Sequence, residues 1–365
     1  PAVVRTSLAG QNIRPLPTLS RSPMTSKILA AAFSALTLVA AATAQSDKLF
    51  LTNGTVVDDC KVTDYGVRTV RYKRGSSTES VETDKVIKVE LAKFKTVYAR
   101  GLRDAGMMLT LAREQLKAKE SVMAQLGFIS AANQFFDQGN APDAVASLNE
   151  VSKAFPEGGA QPDVFRLKFE YYMGVGSRDA VTVAKKYEQQ AIGGAWPDGF
   201  AVEASFFQAL SEKSSPEDFQ RKLKTIASRA RNANPTVAGR ANIELAHSMR
   251  KSGSVDEAQR IYEGIVKKDS VDDSARAGAY LGLGLIAFEG TGGKDAAKQA
   301  LLMFLRVRLE TTEAWPSLQA EALYYAAQAA RKWQGPEYRY IVGRCRGLLF
   351  NEYPNSEWAK LAKSR

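Results

Sequence analysis

The pattern of apolar and polar residues changes twice along the chain and divides it into three stretches. One long apolar run covers 28–44. From Lys48 to Leu91, β-branched and polar residues alternate with the two-residue period of a strand. From about Ala92 onward, apolar residues recur at helical spacing between short turns rich in Gly, Pro, Ser and Asp. The pattern therefore predicts a β segment followed by a mainly α chain.

The apolar run has the three parts of a secretory signal peptide. A short basic start at Lys27 precedes it, and Ala42-Thr43-Ala44 supplies the small-x-small cleavage site. The run is shorter than the roughly 20 apolar residues that a membrane span needs. We therefore predict a signal peptide over 24–44 and an exported mature chain, periplasmic or secreted, that begins near Gln45.

Residues 1–23 contain four prolines, several Ser and Arg, and no periodicity. Because a signal peptide normally stands at the N-terminus, we interpret Met24 as the physiological start and 1–23 as an unstructured upstream segment. The alternative is a transit-type leader, since the stretch is rich in Arg and Ser and has no acidic residue. Whether 1–23 are translated in the cell stays open at this point.

The segment 45–91 predicts a small β domain. Leu49 and Leu51 alternate with polar residues, and Asn53-Gly54 is a strong hairpin signal. About five short strands in this length suggest a small SH3-like or Sm-like barrel or curled sheet. Such a module is small for independent stability, so we expect it to dock on the chain that follows. Small barrels host many functions, so the fold does not indicate its role.

Small residues recur in the helical region at a fixed spacing. Ala132 and Ala144 stand twelve positions apart, between the large residues Phe128, Phe135 and Leu148. The same offset separates Ala246 from Ala258 and Gly284 from Ala296. We expect the small residues to lie where the two helices of a hairpin cross, and the large ones to fill the space between hairpins.

This spacing resembles the tetratricopeptide repeat (TPR) family. Weaker copies fill the gaps, and in one of them Lys168 stands where a small residue belongs. The motif over 353–359 is similar to the inter-repeat link of TPR proteins in bacterial envelopes. The resemblance implies a right-handed α-α superhelix of five to seven TPR-like hairpins over 92–365.

The resemblance also implies a concave groove for a protein or peptide partner. In TPR-like solenoids the groove residues stand one and four positions after the small crossing residue, on one face of each first helix. In this chain those positions are Asn133, Phe136, Phe169, Tyr172, His247, Arg250, Leu285, Phe288, Gln328 and Arg331. The mixed set suits an amphipathic or acidic segment. Alternatively, Phe169 and Phe288 pack against the next repeat.

Composition and charge narrow the choice of partner. The chain has 50 Lys and Arg against 39 Asp and Glu, and the excess is spread along it rather than gathered in a basic stripe with interleaved aromatics. We therefore expect no nucleic-acid partner. Cys60 and Cys345 predict two separate small core residues, with a single disulfide as the alternative. After signal cleavage no integral membrane span is expected, and the oligomeric state stays open.

The sequence shows no catalytic, cofactor or metal motif. Gly290-Thr291-Gly292-Gly293-Lys294 lacks the other residues of a phosphate loop, and the one histidine, His247, removes paired-histidine metal motifs. We therefore predict a non-enzymatic exported scaffold in cell-envelope assembly or maintenance. The alternative is an enzyme or a carbohydrate-binding accessory protein with its site in the β module.

Overall fold

The structure is a computed structural model that describes residues 46–212, 214–268, 272–311 and 316–364. The upstream segment and the signal peptide proposed from the sequence lie outside these residues. Within the described ranges, no helix combines the length and the apolar character that a bilayer span requires.

Five antiparallel strands come first, in the spatial order β4-β3-β2-β1-β5. Their bounds are Asp47–Leu51 (β1), Val56–Tyr65 (β2), Thr69–Arg74 (β3), Ser77–Glu82 (β4) and Val86–Glu90 (β5). The first half of β2 pairs with β1 and its second half with β3. A register shift occurs near the start of β1, where the Asp47 carboxylate accepts hydrogen bonds from the backbone N–H groups of Val62 and Ala92, both at 2.8 Å.

The rest of the described chain is helical. The helices are Phe94–Val97 (α1), Ala105–Lys117 (α2), Ser121–Asp137 (α3), Ala141–Ala154 (α4), Gln161–Gly174 (α5), Asp179–Gly193 (α6), Asp198–Ser211 (α7), Pro216–Ala233 (α8), Pro235–Lys251 (α9), Val255–Val266 (α10), Asp273–Glu289 (α11), Gly293–Glu310 (α12), Pro316–Trp333 (α13), Tyr338–Glu352 (α14) and Glu357–Lys363 (α15). The mainly α character predicted from the sequence is confirmed.

From α3 onward the helices form six hairpins, each with a first and a second helix packed together. The first helices are α3, α5, α7, α9, α11 and α13, and from α5 onward each also packs on the next first helix. Among the described residues, the second helices do not pack on one another to a comparable extent. The first helices therefore form the closer-packed layer, which we call the inner face.

Small residues are buried within the hairpins as the sequence predicts, with one correction. Ala132, Ala144, Ala246 and Ala258 are fully buried. In the hairpin of α11 and α12, however, Ala296 is only half-buried.

Ala297 takes the buried place there and is followed by buried Leu301 and Phe304, as Ala144 is followed by Leu148 and Val151. The offset from Gly284 is thus thirteen positions. A turn that ends in Gly293 at a positive φ of 59° accommodates the additional residue.

The two cysteines are free thiols in different parts of the core. Cys60 packs under the sheet, and Cys345 lies buried in α14. Leu349 follows Cys345 by one turn and is also buried. This confirms the prediction of two separate small core residues.

The sheet docks on the turns that join successive hairpins. The backbone of Gly66 and Val67 pairs with the turn between α4 and α5, where Val67 N–H donates to Glu157 C=O at 2.9 Å. The Asp84 carboxylate accepts the N–H of Gly199 in the first turn of α7 at 3.0 Å. Arg68 donates to Gly194 C=O at the end of α6, at 2.7 Å. These charges match the partial charges of the helix ends.

We predict that Gly284→Ala destabilises the chain. A Cβ at Gly284 would lie 2.5 Å from the buried ring of Phe304, so the two helices would have to separate at a cost of about 1–3 kcal/mol. Gly264 is the matched control, because a Cβ there meets no atom within 4 Å. G264A should raise the free energy of unfolding by ~0.5–1 kcal/mol. Urea unfolding measures both, and equal effects of the same sign would contradict the crossing geometry.

Candidate functional site

Ionisable side chains of the first helices gather on the inner face. We call this set the inner-face band. It continues onto α15, and each member interacts electrostatically with another: Asp163, Arg166, Glu170, Glu203, Arg240, Glu244, Arg250, Lys251, Glu289, Glu321 and Glu357.

An ion pair between half-buried Arg166 and buried Glu203 anchors the band between α5 and α7. The guanidinium of Arg166 donates two hydrogen bonds to the Glu203 carboxylate, at 2.9 and 3.1 Å. The hydroxyl of Tyr187 donates a third at 2.8 Å. Burial alone would raise the pKa of Glu203, but the charge and the hydrogen bonds of Arg166 hold that pKa below its usual value. Glu203 is therefore a structural anion with its oxygens already occupied.

Side chains of α5 and α9 meet across α7. The carboxylate of Glu170 on α5 lies 3.9 Å from the guanidinium of Arg240 on α9. That guanidinium stands over the aromatic rings of Phe206 and Phe207 on the intervening helix, 5.3 and 5.7 Å from their centroids. Side chains of these two alternate first helices therefore meet across α7 on the inner face.

Charged side chains also interact one hairpin later, around α11. Arg250 on α9 forms an ion pair with Glu289 at the end of α11. Glu321 on α13 interacts with Lys251 and Arg250 of α9 as well as with Glu357 of α15. Burial and the charge of Glu357 raise the pKa of Glu321 to about 7, against the two cations. Glu321 is therefore partly protonated near neutral pH.

Carboxylates outnumber cations in the inner-face band. It holds seven acidic groups and four basic ones, although the whole chain carries a net charge of +11. Burial also raises the pKa of Glu170 and of Glu244, despite the nearby Arg240. The Glu170 side chain is nevertheless 40% exposed and can be contacted. This excess of carboxylates disfavours an acidic segment on this face, one of the two kinds, amphipathic or acidic, that the sequence suggested.

Two of the groove residues proposed from the sequence are core residues. Phe169 is 2% exposed and stacks on Phe207 with ring centroids 4.2 Å apart. Leu285 is 4% exposed. Neither side chain can contact a partner. The alternative, that Phe169 packs against the next repeat, is the arrangement observed.

The remaining groove candidates do not form one surface. Phe136 contacts Tyr171 at 5.4 Å, and Tyr171 contacts Tyr172 at 5.2 Å. Phe288 lies against Tyr325 at 6.0 Å, with the ammonium of Lys332 5.2 Å from its ring. The others are exposed or half-buried on their own helices: Asn133, Gln328 and Arg331.

His247 lies on α9 close to Arg250, which belongs to the inner-face band. The Nδ1 atom of His247 is 2.6 Å from the hydroxyl oxygen of Tyr262. Burial, followed by the charges of Arg250 and Lys251, lowers the pKa of His247 to about 4. His247 is therefore neutral at pH 7.

The charged residues that stand before the crossing residue were not among the groove residues predicted from the sequence. Arg240 and Glu244 come six and two positions before Ala246, and Glu321 comes six before Ala327. Spacings of about four place such residues on one side of the helix. The repetition of ionisable residues at these offsets is the sequence pattern from which the inner-face band could have been predicted. In the described parts of the chain, no cluster of His, Cys, Asp and Glu could hold a metal ion.

No protein-family model matches the sequence, and a comparison with curated proteins finds no match. Among solved structures, the chain is similar to the human IFIT1 dimer with m7Gppp-AAAA, at 16% identity and a TM-score of 0.41. The alignment covers 74% of this chain and 66% of the IFIT1 chain, slightly less than two thirds of its length. A TM-score at this level does not establish a shared function.

We predict that Glu321 makes the unfolding free energy depend on pH. Its pKa is about 7 in the folded chain and near 4.5 when unfolded, so the folded state binds the proton more tightly. Its stabilising contribution is complete below pH 4.5 and is lost as the pH rises through 7. The glutamine of E321Q stays neutral at every pH. The free energy of unfolding of E321Q should therefore exceed that of the wild type by about 1–2 kcal/mol at pH 8 but not at pH 4.5. Urea unfolding at both values measures this.

The matched control is E114Q, at an exposed position on α2. The difference between its free energies of unfolding at pH 8 and at pH 4.5 should stay close to the difference in the wild type. Parallel stability profiles for the wild type and E321Q would contradict the burial of a weakly compensated Glu321.

Proposed function

We propose that this chain is an exported TPR-type scaffold that binds a basic, amphipathic segment of a protein partner along its concave inner face, in cell-envelope assembly or maintenance. One observation carries the proposal. Acidic and basic side chains of alternate first helices meet across the helix between them, as Glu170 and Arg240 do at 3.9 Å. We infer that the inner-face band, with seven acidic groups against four basic ones, forms an acid-rich strip along a concave face.

The TPR resemblance and the hairpin packing support this architecture. The proposal includes a right-handed superhelix, in which the inner layer of first helices forms the groove. We also propose that the five-stranded sheet has an SH3-like or Sm-like fold. The strand order and the short 3₁₀ turn Thr83–Lys85 between β4 and β5 agree with that type.

Export and the absence of catalysis are parts of the same proposal. Export is supported by the three-part signal over 24–44, and the mature chain would begin near Gln45. A non-catalytic role is supported by the one histidine, whose ring nitrogen is held by Tyr262. The proposal involves no cofactor, no metal and no nucleic acid.

The partner should be cationic because the inner-face band has excess carboxylates in a partly dehydrated setting. The raised pKa values of Glu170, Glu244 and Glu321 mean that nearby cations do not fully compensate these groups. Lysine or arginine side chains of a bound segment would supply the missing charge. The aromatic contacts at Phe288 and Tyr325 give its apolar side a surface to pack on.

We predict that neutralising the strip weakens binding of a basic peptide. The probe is a fluorescein-labelled twelve-residue amphipathic peptide with lysines on its polar face, and its counterpart carries glutamates instead. The chain 45–365 should bind the lysine peptide selectively. E170Q/E244Q/E289Q should weaken that binding about tenfold, as expected for the loss of three charge contacts on the inner face. Fluorescence anisotropy measures the affinities.

The control variant E188Q/E217Q/E263Q makes the same change of charge on the second helices α6, α8 and α10. It should alter the affinity by less than about twofold, because long-range charge effects are screened at physiological ionic strength. Preference for the glutamate peptide would overturn the proposal. An equal loss of affinity in both triple variants would do the same.

A further inference from the structure

Three lysines surround a furrow on the outer side of the solenoid, opposite the inner-face band. Its walls are the second helices α4 and α6, and its floor is α5. We call it the lysine furrow and define it by Lys153 of α4, Lys168 of α5 and Lys186 of α6. The cavity has a volume of about 520 Å³ and is also lined by Asn149, Gln161 and Tyr172.

The furrow lies where the repeat pattern is broken. In four other hairpins the first helix carries a small buried residue at the crossing position: Ala132, Ala246, Gly284 and Ala327. Lys168 holds that position on α5. Its ammonium group, half-buried, donates a hydrogen bond to Asn149 Oδ1 of α4 at 2.7 Å. A charged side chain thus occupies a site that packing alone would assign to alanine or glycine.

The positive charge in the furrow exceeds the negative charge. Across the residues that the structure describes, none of the three ammonium groups forms an ion pair. Asp179 supplies the one carboxylate in the lining, and its Oδ2 accepts a hydrogen bond from Ser177 Oγ at 3.0 Å. Burial, together with the charge of Lys186, lowers the pKa of Lys168 to about 8.

The next furrow along the outer side is different. Between α6 and α8, Lys222 donates to the Glu212 carboxylate at 2.6 Å, and Glu188 lines the same cavity. The cations there are neutralised by the chain itself. Unmatched lysines are therefore a local property of the lysine furrow and not a consequence of how second helices pack.

We propose that the lysine furrow is a binding site for an oxyanion, a phosphate or carboxylate group of a ligand. Lysine ammonium groups bind such oxyanions as point charges. The Asn149 side-chain oxygen accepts a hydrogen bond from Lys168. The N–H groups of the same amide can donate hydrogen bonds to an oxyanion. This site lies on the opposite face from the inner-face band and has the opposite charge, so it is independent of the proposed function.

The test follows the pKa of Lys168 by NMR in the chain 45–365 with ¹³C-labelled lysine side chains. Inorganic phosphate and citrate are titrated separately, against sodium chloride at equal ionic strength. Either oxyanion should raise the pKa of Lys168 from about 8 by about one unit or more, because the bound anion stabilises the ammonium form. Chloride should not. This experiment needs no variant and so does not depend on folding of a mutant.

Two variants then locate the site. K168M keeps the length of the side chain but removes its charge, and it should weaken phosphate or citrate binding at least tenfold by calorimetry. K222M removes a lysine that already has a carboxylate partner and should change the affinity by less than about twofold. A phosphoserine peptide, compared with free phosphate and citrate, identifies whether the oxyanion is best presented by a macromolecule or a small molecule.

The proposal is overturned if neither phosphate nor citrate moves the pKa of Lys168 more than chloride does. It is also overturned if K168M and K222M lower the affinity equally, since binding would then be general attraction to a basic surface. The lysine peptide tests the inner face and not the lysine furrow. A negative result with the oxyanions therefore leaves the test of the proposed function unaffected.

Discussion

Close packing of two helices at a small buried residue is the constraint on which the rest of the structure depends. Where Ala246, Ala258 or Gly284 lies in a hairpin, no larger side chain fits without separating the helices. This contact fixes the rotation of each first helix about its axis. The residues two and six positions before it, such as Glu244 and Arg240, then point to the inner face. The charged strip follows from the packing.

The sheet adds a second constraint along one edge of the helical layer. Asp84 is hydrogen-bonded in the first turn of α7, Arg68 binds the end of α6, and Lys85 donates to Ala233 C=O at the end of α8 at 3.3 Å. One small module thus holds the ends of three helices from neighbouring hairpins. The module therefore stabilises the packing of α6, α7 and α8 along this edge.

Much of the fold could be predicted from local patterns, but the site could not. Strand alternation, helical spacing and the Ala132–Ala144 and Ala246–Ala258 offsets are local, so they are legible in the sequence. The third offset was wrong because the glycine turn before α12 accommodates one more residue. The groove residues predicted from the sequence differ from the inner-face band for another reason. Phe169 is held in the core by Phe207, and the ion pairs join helices far apart in sequence, so only the packing of the whole layer reveals them.

The most direct test of the inner-face claim locates the bound lysine peptide. A photoreactive group on the peptide is activated in complex with the chain 45–365, and the crosslinked residues are identified by mass spectrometry. Crosslinks should fall on the inner sides of α5, α9 and α13, near Glu170, Glu244 and Glu321. Crosslinks confined to the outer second helices or to the sheet would contradict a binding face built from the first helices.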